Sequence, residues 1–246
     1  MLVSKAGYEI PYVYEGNGDE KQIVIICHGF GSSKESPTAV SMAEKLNEAG
    51  IGAVRFDFPA HGESPAEGEF FRVENCINDL ASVEEMVSER YPSAEISYFS
   101  SSFGAFINLL YISGRPHRGR KSFLRCAAVD MPGIVKGWLT DEDMRKLTED
   151  GYLILDEDYE RPLKVVKEFA DDLEKTDLFG NFKADNCRLL MIHGTEDETA
   201  PYADASRFAR MYGIELISVE GSDHRFTPEG AMDRVRACAV DFFGKK

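Results

Sequence analysis

The chain has 246 residues, 43% of them apolar, and a formal net charge of −15. That length suits one α/β domain with a sizeable core, and the acidic balance argues against nucleic acid and against docking on an anionic membrane. No run approaches the ~20 apolar residues of a bilayer span, and Met1 to Tyr8 carries no apolar signal core, so a cytoplasmic setting is expected.

Tyr8 to Tyr14 reads as an N-terminal strand. Ile23 to Ile26 is a second, running into Cys27-His28-Gly29-Phe30-Gly31. Pro37 to Ala49 reads as a helix stopped by Gly50, and Gly52 to Phe56 as a strand leading into the turn Asp57-Phe58-Pro59-Ala60-His61-Gly62-Glu63-Ser64. Val73 to Tyr91 places Val73, Ile77, Leu80, Val83, Met86 and Val87 at helical spacing, with Pro92 just beyond. Glu95 to Phe99 is strand-like and Ala105 to Ile112 helix-like. The basic stretch Arg115 to Lys121, with Arg125, reads as a solvated loop, and Cys126 to Val129 as a strand ending near Asp130.

Some 55 residues then separate Asp130 from the strand pattern beginning near Cys187, more than the ~12 a plain crossover needs. This surplus reads as a cap: Thr140-Asp141-Glu142-Asp143 opens a helix, Tyr152 to Leu155 follows, and Leu163 to Thr176 is a second helix. Its acidic residues, Asp156-Glu157-Asp158 among them, mark a solvated outer face, while Trp138, Tyr152, Leu153 and Leu155 either face a pocket or join the cap to the core. Residues 1–131 and 185–246 would then form the core, and 132–184 the cap. Arg188 to Ile192 and Ile214 to Val219 are the last strands, and Pro201 to Tyr212 and Pro228 to Phe243 the last helices. Strands alternating with amphipathic helices predict a mostly parallel, doubly wound sheet with helices on both faces. The five cysteines, Cys27, Cys76, Cys126, Cys187 and Cys238, form no Cys-x-x-Cys pair and suggest neither zinc nor disulfides.

Chemistry concentrates at Ser100-Ser101-Ser102-Phe103-Gly104, which joins a strand pattern to a helix pattern. That is the setting of a nucleophile elbow, small-x-Ser-x-small. Only Ser102 has small residues two before and two after it, Ser100 and Gly104; Ser101 would have Phe99 and Phe103 there. Alone, the string fits a serine-rich turn better than an elbow; its context is what favours the elbow. A serine hydroxyl also needs a base and an acid to orient that base, in the chain order Ser, Asp or Glu, His. Of the five histidines, His224 sits in the loop after a late strand, where an imidazole reaches a neighbouring strand end. His28 and His61 read as loop-shaping, His117 as solvated, and His193 as the end of the strand whose loop carries the acid. Spacing from His193-Gly194 favours Asp197 as that acid, with Asp130 as the alternative. The main-chain N–H groups of Phe103, just after the serine, and Phe30, in the loop after an early strand, are the candidate oxyanion donors. Met131, Trp138 and Phe226 are candidate pocket residues, and this aromatic surround favours an aryl or medium acyl ester over a charged substrate.

With these segments in order, the chain resembles the α/β-hydrolase superfamily from about residue 8 to its C-terminus. Within it, the chain looks most like small bacterial carboxylesterases of the cinnamoyl/feruloyl-esterase type, departing from them at Ser100-Ser101, where Gly-His is commoner. The resemblance implies a serine hydrolase acting on a small-molecule ester through an acyl-enzyme, with no metal or organic cofactor. A thioesterase, amidase or peptidase would use the same triad, and a non-catalytic binding protein would keep the fold; Ser102 argues against an epoxide hydrolase or dehalogenase, which need Asp there. The sequence is compatible with a homodimer and does not decide it.

Overall fold

The computed structural model describes residues 1–156, 159, 161–183 and 186–245. Its central element is a seven-stranded sheet. In chain order the elements are β1 (Tyr12–Glu15), β2 (Gln22–Cys27), α1 (Pro37–Glu48), β3 (Gly52–Phe56), α2 (Val73–Arg90), β4 (Glu95–Ser101), α3 (Phe103–Gly114) and β5 (Gly119–Arg125). Then come α4 (Met131–Trp138), α5 (Asp141–Glu149), β6 (Tyr152–Leu155), β7 (Leu163–Val166), α6 (Lys167–Glu174) and α7 (Leu178–Asn181). The chain closes with β8 (Arg188–Gly194), α8 (Tyr202–Tyr212), β9 (Glu215–Val219) and α9 (Ala231–Gly244). The sheet order is β1-β3-β2-β4-β5-β8-β9. Every pairing in it is parallel except that of β1 with β3.

Burial on both faces explains why the inner strands are apolar runs rather than alternating ones. Ile23 and Ile25 of β2 enter the larger core with α2 and α3, while Val24 and Ile26 enter the second core with α1 and α9. α3, under the middle of the sheet, is buried from Phe103 to Leu109 without a break, so its sequence is apolar nearly all round.

Five sequence expectations are corrected. The N-terminal strand starts at Tyr12, not Tyr8, because Pro11 has no N–H to give a ladder; the preceding residues are held instead by a Val3–Glu9 bridge and by Tyr8 Oη donating to Asp79 at 2.7 Å. The basic stretch is not wholly a solvated loop: Gly119–Arg125 is β5, flanked by β4 and β8. Charge sits at its outer start, with Arg120 exposed, while Ser122, Phe123, Leu124 and Arg125 are buried. Cys126 to Val129 is therefore not strand; Cys126 at φ 44° turns the chain off the sheet. Leu163 to Val166 is β7, not the start of a helix, since Leu163, Val165 and Val166 are buried where β7 pairs antiparallel with β6. The last helix begins at Ala231, three residues after Pro228.

Between α4 and α7 the chain leaves the main sheet: β6 and β7 form a two-stranded sheet of their own, while Leu163, Val165, Phe169 and Leu173 join the larger core. The N-terminus of α5 carries a full capping box between Thr140 and Asp143. Phe169 of α6 is fully buried and stacks on Phe71, centroids 4.3 Å apart, and Arg72 donates to both carboxylate oxygens of Asp172 at 2.6 and 2.7 Å. Glu157, Asp158 and the 184/185 boundary lie outside the described residues. No helix among the described residues is long and apolar enough to cross a membrane.

Candidate active site

Ser102 stands between β4 and α3 with φ 52° and ψ −116°. A non-glycine residue adopts that region only when its surroundings impose it. Here they do: its N–H donates to Arg125 O at 2.9 Å, and its carbonyl accepts from Ala105, Phe106 and Ala128 at 3.0, 3.2 and 3.3 Å. Gly104 sits so close to the end of β2 that a Cβ would lie 2.4 Å from His28 O and 2.6 Å from Cys27 O. Phe103 is the first residue of α3, so its N–H has no partner within the helix.

The loop after β2 is shaped by two buried histidines. His28 Nδ1 pairs with Gly29 O at 2.7 Å while Nε2 accepts from Phe58 N at 3.1 Å. His61 Nδ1 pairs with Pro59 O at 2.9 Å while Nε2 accepts from Gly31 N at 3.0 Å. Each ring donates at one nitrogen and accepts at the other, which fixes a neutral tautomer. Burial accordingly pushes His28 down to about 4, and burial together with the nearby His28 pushes His61 down to about 3. Phe30, between them, packs on Phe71, Phe103, Trp138 and Phe169.

Asp197 and His224 come from the loops after β8 and β9. Those loops are bound together: Glu196 N donates to Ser222 O at 3.0 Å, and a Cβ on Gly194 would meet that same oxygen at 2.2 Å. His224 Nδ1 lies 2.7 Å from Asp197 Oδ2. Oδ1 of the same carboxylate accepts from Thr199 N and Ala200 N at 3.0 and 2.8 Å, and His193 Nε2 lies 3.0 Å from Oδ2. Burial alone would raise this carboxyl, but the hydrogen bonds from His193 and His224 hold it well below the usual carboxylate range. Asp130, the alternative acid, instead caps α4 by accepting from Gly133 N.

Two neighbours of this pair are invisible to sequence reasoning. Cys126, Asp197 and His224 offer ligand atoms within 4.8 Å of one another. Asp197 and His224 are already spent on their mutual hydrogen bond, and burial pushes the Cys126 thiol up, so this donor set suits a metal poorly. Arg125 donates from Nη2 to His224 O at 2.8 Å. Its burial follows only from β5 lying mid-sheet, which the basic sequence around it conceals.

Ser102, Phe30, Trp138, His224 and Arg125 all line one cleft of about 960 Å³, as do Ile154, Leu155, Asp156 and Tyr159. Of the candidate pocket residues, Trp138 lines it; Met131 belongs to the larger core and Phe226, under Arg125, to the second. A further hollow of about 850 Å³ lies at the opposite end of the strands, where β4 and β5 begin, between Tyr91, His117 and Arg120.

Residues 18–149 match the family model described as serine aminopeptidase, S33. No curated protein sequence matches the chain. Among solved structures, Est1E from Butyrivibrio proteoclasticus with ferulic acid bound is similar at a TM-score of 0.85 and 19% identity, over 99% of this chain and 97% of that one. Alpha/beta hydrolase domain-containing protein 10 from mouse is similar at 0.78 and 18% identity, over 96% and 94%. The esterase EaEST from Exiguobacterium antarcticum is similar at 0.74 and 16% identity, over 99% and 98%.

Proposed function

Since this chain belongs to the serine aminopeptidase S33 family of α/β-hydrolases, we propose that it is a serine hydrolase cleaving carboxylic esters by a Ser102–His224–Asp197 triad. The observation that carries this is a serine held at φ 52° on an elbow, lining one cleft with a histidine whose Nδ1 is bound to a buried carboxylate. His224 takes the Ser102 proton as the hydroxyl attacks the carbonyl, and Asp197 orients the ring and stabilises its charged form. The N–H groups of Phe30 and Phe103 receive the oxyanion. His224 then protonates the leaving alkoxide, and water repeats the sequence on the acyl-enzyme. Residues 132–184 act as the cap.

The aromatic surround of Phe30 and Trp138, and the ferulic acid in the Est1E structure, support small aryl or short to medium acyl esters. The family description favours a second reading, amide or peptide cleavage on the same triad, which comparison of matched ester, thioester and anilide substrates separates. The primary test is fluorophosphonate labelling with peptide mapping. Wild type should label at Ser102; Ser102→Ala should not label and should lose about 10⁴–10⁶ in kcat. Retained activity in Ser102→Ala would sink the assignment.

A further inference from the structure

Ester cleavage as described does not use one set of the residues that line the cleft, taken together here as its arm: Ile26, Phe99, Ser36, Thr38 and Arg125. Arg125 is only 5% exposed. Among the described residues its guanidinium makes one hydrogen bond, to His224 O, and lies over the Phe226 ring, its carbon 5.1 Å from the ring centroid. Its Nε is buried with no partner, and no ion pair among the described residues involves it, Asp197 and Asp223 acting only at longer range. Arginine stays protonated under such burial. A buried cation without an anion is costly to keep.

A second positive feature meets the same space. α1 is twelve residues long and has no acidic residue in its first turn, so nothing in that turn opposes the positive end of its dipole. Ser36 already accepts from Ala39 N, which orients this turn. Arg225 lines the cleft as well, and Asp156, on the cap side, is the one acidic residue among the described lining residues. In a chain of net charge −15, a cationic wall beside the candidate nucleophile runs against the field of the whole molecule.

We propose that this arm binds a carboxylate carried by the substrate, so that the preferred ester bears a second, anionic group a few bonds from the scissile carbonyl. This rests on the ester-cleaving reading above, and it revises the expectation of an uncharged substrate. A guanidinium is the cation best suited to a carboxylate, and Ile26 and Phe99 add apolar lining for a short spacer.

The test uses the full chain and two matched pairs. The para-nitrophenyl monoester of glutarate against para-nitrophenyl valerate places the carboxylate on the acyl half; acetoxybenzoate against phenyl acetate places it on the leaving group. For one pair the anionic member should lead in kcat/KM by about 10-fold or more, and the pair that responds identifies the half that enters the arm. Thr38→Glu puts an acid in the first turn of α1, where it suits the helix, and should collapse that lead. Arg125→Met should collapse it too, with melting temperature measured alongside. Turnover of the neutral esters with no anionic lead, or a lead that Thr38→Glu leaves untouched, overturns this inference alone. No turnover of any ester and no fluorophosphonate labelling overturns the ester reading and this inference with it.

Discussion

At the residue scale, function is a matter of held conformations. Ser102 keeps φ 52° because its main-chain N–H and carbonyl are tied to Arg125, Ala105, Phe106 and Ala128. Gly104 allows the approach: a Cβ there would meet two backbone oxygens, neither of which can rotate away. Gly104→Ala is therefore expected to cost about 1–3 kcal/mol, read as a lower urea midpoint, with ester turnover falling alongside. Asp197 accepts from Thr199 N and Ala200 N of its own turn and pairs with His224 Nδ1, so Asp197→Asn should chiefly disturb the orientation of His224. By analogy with other triads, kcat should fall about 10⁴-fold, while circular dichroism stays that of wild type and fluorophosphonate labelling slows in step. Labelling at the wild-type rate would remove Asp197 from the triad. The proposed triad of Ser102, Asp197 and His224 is readable in the sequence because local spacing marks each of them. Arg125 and Cys126 are not, because what brings them to the site is the register of β5 against β4 and β8.

At the element scale, the segment from α4 to α7 is held to the rest by contacts of unequal strength. The Arg72–Asp172 pair is bidentate, but Arg72 keeps 35% of its side-chain surface. Water and salt screen such a pair, so Arg72→Ala is worth no more than about 1 kcal/mol. Phe169 is fully buried against Phe71, Phe103 and Phe30. Phe169→Ala would leave a cavity costing about 3–5 kcal/mol. The larger loss in urea melts should thus come from Phe169→Ala, with a raised KM because Phe30 loses its backing; equal losses from the two variants would show that the ion pair matters as much as the aromatic stack. Leu163 to Thr176 reads as one helix because it is a single apolar-polar run; pairing with β6 decides where strand stops and helix starts.

At the scale of the whole molecule, buried titratable groups set the acid response. His28 and His61 are held neutral, down to about 4 and about 3 from 6.5, so in the unfolded chain they bind protons that the folded chain refuses. Both lower stability as pH falls from about 6.5 towards 4. Asp79 acts in the opposite sense: buried, and raised to about 6 from 3.8, it keeps a proton that the unfolded chain releases. Two protons against one leave stability rising with pH between about 4 and 6. Asp79→Asn should steepen that rise, measured as urea midpoints at several pH values; an unchanged slope would mean that Asp79 is ionised in the folded protein. Asp197, depressed, adds stability above its unfolded value near 3.8 that is lost only as the medium becomes more acidic.

The sequence by itself determined the alternation of strand and helix, and hence a parallel sheet covered on both faces, because apolar periodicity is a local property of the chain. It also determined which serine, acid and histidine to examine, since an elbow imposes small residues at fixed offsets. Only the tertiary structure decided that a basic segment becomes an inner strand, that Phe226 faces the second core rather than the cleft, and that Arg125 lies buried beside Ser102. Those outcomes depend on strand order and register, which join residues far apart in the chain through burial and hydrogen bonding, and no local pattern encodes them.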